Sequence, residues 1–120
     1  MATTDHFTNS EPSTDEWVVT RNGAEIARST SVRLVTETYQ GRELDPVPYF
    51  PRTDVSVSLV GPSGHSTTCP VKGKASYYAV DGDAETDNGI WSYADPISPL
   101  EPIADYVAFY GDRFEVLRVS

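Results

Sequence analysis

Basic residues, thiols and long apolar runs are all scarce in this chain, and each shortage excludes a class of protein. Only 9 of the 120 residues are lysine or arginine, against 18 aspartates and glutamates, for a formal net charge of -9. Such a surface repels a nucleic-acid backbone and an anionic lipid face, so neither nucleic acid nor membrane is an expected partner. A single cysteine rules out an internal disulfide and a four-thiolate zinc site. It points to a reducing compartment, the cytoplasm. No apolar run approaches the roughly 20 residues that span a bilayer. Met1-Ala2-Thr3-Thr4-Asp5 has neither the basic start nor the apolar stretch of a secretory leader. Arginine supplies seven of the nine basic residues. A lysine-poor, aspartate-rich surface suits a high-salt cytoplasm, where self-repulsion is screened. A GC-rich genome gives the same composition.

What is present is concentrated. Both lysines and the lone cysteine fall in Thr67-Thr68-Cys69-Pro70-Val71-Lys72-Gly73-Lys74-Ala75-Ser76-Tyr77-Tyr78, which ends in a tyrosine pair. Around this stretch the chain reads as one β domain over residues 17–120, behind a disordered acidic and polar tail at 1–16. Trp17-Val18-Val19-Thr20 and Ala24-Glu25-Ile26-Ala27 flank Asn22-Gly23, which supplies the positive-φ positions of a hairpin turn. Val32-Arg33-Leu34-Val35-Thr36-Glu37-Thr38 is β-branched and partly alternating, a third strand. Residues 40–46 form a polar loop. In Pro48-Tyr49-Phe50-Pro51 the flanking prolines predict an edge or a pocket wall.

Arg52-Thr53-Asp54 is placed as one helical turn. Val55-Ser56-Val57-Ser58-Leu59 alternates cleanly, with Val55, Val57 and Leu59 inward. Further strands are expected over residues 75–80, 89–93, 106–110 and 114–119, the last two around Gly111-Asp112. Ser98-Pro99-Leu100-Glu101 carries a capping-box pattern that starts a short helix. The fold class is therefore mainly β: a small barrel or packed antiparallel sheets, with one or two short helical turns.

Several residue groups carry possible chemistry. Cys69 and Lys72, three apart, form a candidate catalytic pair in which the ammonium favours the thiolate; the alternative is a small buried cysteine beside a solvated lysine. His6 lies in the tail and His65 in a turn, so a Cys-His nucleophile has little support, with His65 the nearer in sequence. Lys72-Gly73-Lys74 has the makeup of a glycine-flexed anion site but lacks P-loop spacing. Tyr49, Tyr77, Trp91, Tyr93 and Tyr106, with Lys74, are candidate ligand-binding residues. Rings on strands stack planar ligands, though rings also fill cores. Asp81-Gly82-Asp83 matches an Mg²⁺-binding spacing but reads as a hairpin tip. No metal ligand set is assigned and no cofactor is expected.

Four segments in order resemble the domain of unknown function 427 family, also labelled nucleotidyltransferase-like. They are Tyr49-Phe50-Pro51-Arg52-Thr53-Asp54-Val55, Thr68-Cys69-Pro70-Val71-Lys72-Gly73-Lys74-Ala75-Ser76-Tyr77-Tyr78, Trp91-Ser92-Tyr93-Ala94-Asp95-Pro96 and Pro102-Ile103-Ala104-Asp105-Tyr106-Val107-Ala108-Phe109-Tyr110. The resemblance spans residues 17–113 and implies a compact, mainly β domain without an established reaction. Ala94 stands where the family usually has proline. Val71 stands where an aromatic or polar residue is common, and the loop over residues 39–45 is longer than usual.

The first expectation is a pocket joining Cys69 and Lys72 to the five rings and taking a small, planar, anionic, nucleotide-like ligand. The second is a non-catalytic acidic domain that pairs with itself as a homodimer through exposed aromatics. The third is metal-dependent nucleotidyl transfer, although neither a Gly-Ser followed by paired aspartates nor a lysine-x-aspartate-glycine pattern is present.

Overall fold

The computed structural model describes residues 6–120. Among the described residues, twelve strands are joined by three single 3₁₀ turns, and every pairing is antiparallel. They build three packed sheets and no closed barrel, so the barrel alternative is corrected to packed sheets. The first sheet contains β1 (His6–Pro12), β4 (Arg33–Tyr39), β5 (Arg42–Glu43) and β6 (Val47–Tyr49). The second contains β7 (Leu59–Val60), β8 (Ser66–Cys69), β9 (Gly73–Val80), β10 (Ile90–Tyr93) and β11 (Val107–Phe109). The third contains β2 (Trp17–Arg21), β3 (Ala24–Ser29) and β12 (Glu115–Arg118).

The second sheet is central because both of its faces are apolar. Side chains alternate across a strand, so β9 sends Ala75 and Tyr77 one way and Tyr78 and Val80 the other. Opposed residues share a face, which adds Trp91 and Tyr93 to the first set and Ile90 to the second. One face packs on the third sheet through Val19, Ile26, Ala27, Ile90, Val107 and Phe109. The other packs on the first sheet and on the chain over residues 100–106, through Val35, Tyr49, Tyr77, Tyr93, Leu100 and Ile103. Phe50 joins the two regions. Its N–H donates to the Val107 carbonyl at 2.8 Å, and its carbonyl accepts from the Val107 N–H at 2.9 Å.

Three expectations are corrected. Residues 6–12, read as tail, form β1 and pair with β4 along its whole length, from His6↔Tyr39 to Pro12↔Arg33. Composition concealed this strand because Thr8 is its only buried residue, so it is held by backbone hydrogen bonds and polar contacts. The rest of the expected tail, residues 1–5, lies outside the described residues. Residues 55–59 keep their alternation, with Val55, Val57 and Leu59 packed on the core, but they do not form one strand. One end bridges β3 (Ala27↔Val55) and the other pairs with β9 (Leu59↔Val80), so the segment crosses between sheets.

The last two expected strands are present as β11 and β12, and they join different sheets, β11 pairing with β10 and β12 with β2. Buried Phe114 follows the turn between them and stacks edge-on against Phe109 at 5.2 Å. Finally, Ser98 makes no helix cap. The 3₁₀ turn begins at Glu101, where fully buried Leu100 and Ile103 anchor it.

This packing sets an order of sensitivity. Phe50→Ala removes a fully buried ring at the junction of two sheets and is expected to cost about 3–5 kcal/mol in urea denaturation. Phe7→Ala, on a ring 54% exposed, is expected to change the unfolding free energy by less than about 0.5 kcal/mol.

Candidate functional site: a carboxylate held between β1 and the β8–β9 turn

Strands β8 and β9 form a hairpin whose turn, residues 70–72, follows the Cys69↔Gly73 pair. Gly73 has φ +115°, and a Cβ there would meet the Asp95 carbonyl at 3.2 Å. Glycine therefore lets the 95–97 loop lie against the turn, where the Ile97 N–H donates to the Lys72 carbonyl at 3.0 Å. On its other side the turn faces β4. Lys72 Nζ lies 2.7 Å from Glu37 Oε1, and His6 Nε2 lies 2.6 Å from Glu37 Oε2. One carboxylate thus ties the N-terminal strand, β4 and the hairpin turn together.

Burial pushes the Glu37 carboxyl up. The hydrogen bonds and charge of Lys72 and His6 outweigh that effect and hold it below its ordinary value of 4.5.

A groove of about 700 Å³ opens beside this carboxylate, lined by His6, Glu37, Tyr39, Gln40, Arg42 and Leu44, with Pro70 at its edge. The β4–β5 hairpin forms one wall. Its tight turn is made by Gln40 (φ 53°) and Gly41 (φ 76°), closed by the Tyr39↔Arg42 pair. Tyr39 is 49% exposed and meets the His6 imidazole edge-on at 4.9 Å. Arg42 is exposed and makes no ion pair among the described residues.

The residues singled out from sequence are distributed around this site. Tyr49, Tyr77 and Tyr93 are buried in the second core, with Trp91 and Tyr106 packed against it. All five rings meet, as the backbone of a packed cluster. Trp91 Nε1 donates to the Tyr49 hydroxyl at 2.9 Å, and the Tyr77 hydroxyl lies 2.8 Å from Thr67 Oγ1. Burial, then the nearby Tyr93, Cys69 and Glu37, push the Tyr49 phenol upward; burial, then Cys69, Tyr77 and Glu37, do the same to Tyr93. Both phenols therefore stay neutral hydrogen-bonding groups.

Cys69 is half-buried at the rim of this core. Lys72 is engaged by Glu37, so what reaches Cys69 is the field of an ion pair rather than of a lone cation. Lys74 is exposed on the β9 face opposite Ala75 and Tyr77, which splits the expected two-lysine site. His65 sits just before β8, four residues from Cys69 and so roughly 13 Å away at strand rise, and packs on Tyr77 at 4.6 Å. Asp83 is held by Arg21 at 2.9 Å, consistent with a turn role.

Sequence reasoning missed His6, Glu37, Tyr39 and Arg42. The only signal was the weak alternation His6-Phe7-Thr8-Asn9-Ser10, in which no second apolar residue marks a buried face. Among the described residues, no group of three or more His, Cys, Asp or Glu side chains is placed to hold a metal ion. Among them too, no helix is long and apolar enough to cross a membrane.

The Glu37 contacts make stability depend on pH with a definite sign. Folding lowers this pKa, so the stabilisation is fully present above the ordinary value of 4.5. It is lost as pH falls through the lower folded value. Between pH 7 and pH 3 the wild type is expected to lose more of its urea-unfolding free energy than Glu37→Gln does. At pH 7 the substitution is expected to cost about 1–3 kcal/mol. Parallel pH profiles of the two proteins would refute the assignment.

A search of curated proteins found no match to the chain. A family model described as Domain of unknown function (DUF427) matches residues 9–120, from within β1 through the last strand. With the four sequence segments lying on the hairpin turn, the two cores and the central sheet that surround this site, the chain belongs to the DUF427 family.

Proposed function

We propose that this protein is a binding domain for a small, planar, anionic ligand, held in the groove beside Glu37. The observation that carries this reading is the pairing, on one wall, of an open aromatic face with a guanidinium that has no ion-pair partner among the described residues. Tyr39 offers a ring for stacking, and Arg42 offers a planar fork for a carboxylate, sulfonate or phosphate. Gln40 adds an amide that donates and accepts, and Leu44 and Pro70 supply apolar surface, the mixture usual in small-ligand sites.

The Glu37 carboxylate would otherwise repel an anion. Lys72 and His6 each bond one of its oxygens, so an acidic protein presents a locally neutralised floor here. In this reading Lys72 is a positioning residue acting through Glu37, and Cys69 stays at the rim of the second core. The stacking surface is Tyr39, while Tyr49, Tyr77, Trp91, Tyr93 and Tyr106 build the scaffold behind it. The groove wall is drawn from the 39–45 segment.

Thermal-shift screening against nucleotides and aromatic carboxylates and sulfonates tests this, since a ligand that binds only the folded state raises its melting point. Hits are expected to weaken about tenfold or more in Arg42→Ala and to weaken also in Tyr39→Ala. Hits indifferent to both substitutions, or a panel without hits, would overturn the reading.

A further inference from the structure

A second, smaller cleft adjoins the groove on the far side of His6 and Pro70, which line both. Its volume is about 180 Å³, and its walls are Phe7 and Thr8 from β1, Pro70 and Val71 from the hairpin turn, and Ile97, Ser98 and Pro99 from the loop lying on that turn. Most of the lining is apolar, with His6, Thr8 and Ser98 its polar members, and Phe7 and Ile97 are open to solvent. One of the three polar members is buried without a partner. Thr8 is only 6% exposed, and its hydroxyl has no hydrogen-bond partner. A buried hydroxyl without a partner is destabilising, and native structures keep few of them.

From this juxtaposition we infer that the cleft is a second subsite for the same ligand. It takes a short apolar group bearing a carbonyl oxygen, which accepts the Thr8 hydroxyl proton. The inference rests on the groove reading above and narrows its ligand class to an amphiphile: a planar anionic head beside Tyr39 and Arg42, joined across the His6–Pro70 saddle to an acyl arm. Size supports the assignment, because a cavity of about 150 Å³ holds benzene, so a cleft of about 180 Å³ accommodates a single ring or a short acyl chain. The Ile97 N–H bond to the Lys72 carbonyl holds the third wall in register with the turn. The subsite is therefore built on the same tether that positions Glu37.

Two matched probes test this on the full chain: naphthalene-2-sulfonate, which carries the head alone, and 6-butanoylaminonaphthalene-2-sulfonate, which adds the acyl arm. Binding is read by fluorescence titration. The acyl probe is expected to bind about tenfold or more tighter, from burial of the arm. That advantage should fall below about threefold in Ile97→Asp and in Thr8→Val, with the affinity of the head-only probe unchanged in both variants. Thr8→Val is also expected to raise Tm by about 3 °C, since it removes the unpartnered hydroxyl.

An arm that adds no affinity, or a gain that survives both substitutions, overturns the subsite while leaving the groove reading intact. A gain lost in Ile97→Asp but kept in Thr8→Val overturns the role of the hydroxyl. Failure of naphthalene-2-sulfonate to bind at all removes the groove reading, and the subsite with it.

Discussion

The Glu37 carboxylate, bonded by Lys72 on one oxygen and His6 on the other, is the contact on which the architecture of this corner depends. Each of its three residues belongs to a different piece of chain: the central strand of the first sheet, the hairpin turn of the second, and the N-terminal strand. A partly buried carboxylate is tolerated only when its lone pairs are satisfied and its charge is met. Both requirements are met here by residues distant in sequence, so the three segments are fixed relative to one another. The groove and the cleft are the spaces left on either side of that junction.

The aromatic residues serve this arrangement from behind. Tyr49, Tyr77 and Tyr93 fill the core between the first and second sheets; the Tyr49 hydroxyl accepts from the Trp91 indole, and the Tyr77 hydroxyl bonds Thr67. Rings hydrogen-bonded in this way are rigid, and they hold β4 and the β8–β9 hairpin at a defined separation. Lys72 can therefore reach Glu37, and Cys69 sits at the edge of the ring cluster. Rigidity of the scaffold and openness of the groove are two results of the same packing.

Much of the fold was legible in the sequence because strands with one or two buried faces carry their pattern locally. The β2–β3 hairpin was marked by Asn22-Gly23, and β4, β9, β10 and β11 by β-branched and aromatic runs. The failures have separate physical causes. Strand β1 buries only Thr8 and so has no apolar signature. The 55–59 segment alternates as a strand does but divides its pairing between two sheets. At the end of the chain both expected strands are present, and their partners, β10 and β2, are set by long-range pairing that no local pattern encodes.

The site was legible only in part. Sequence alone determined a mainly β chain, a surface dominated by carboxylates, and a stretch around Cys69 and Lys72 unlike the rest, because residue chemistry and alternation are local properties. Tertiary structure decided that Lys72 meets Glu37, that a histidine from the expected tail completes the contact, and that Tyr49, Tyr77 and Tyr93 face inward while Tyr39 stays open. Those outcomes depend on which strands pair and in which register, and a shift of one residue in β1 against β4 would turn His6 and Thr8 to the opposite face of the sheet.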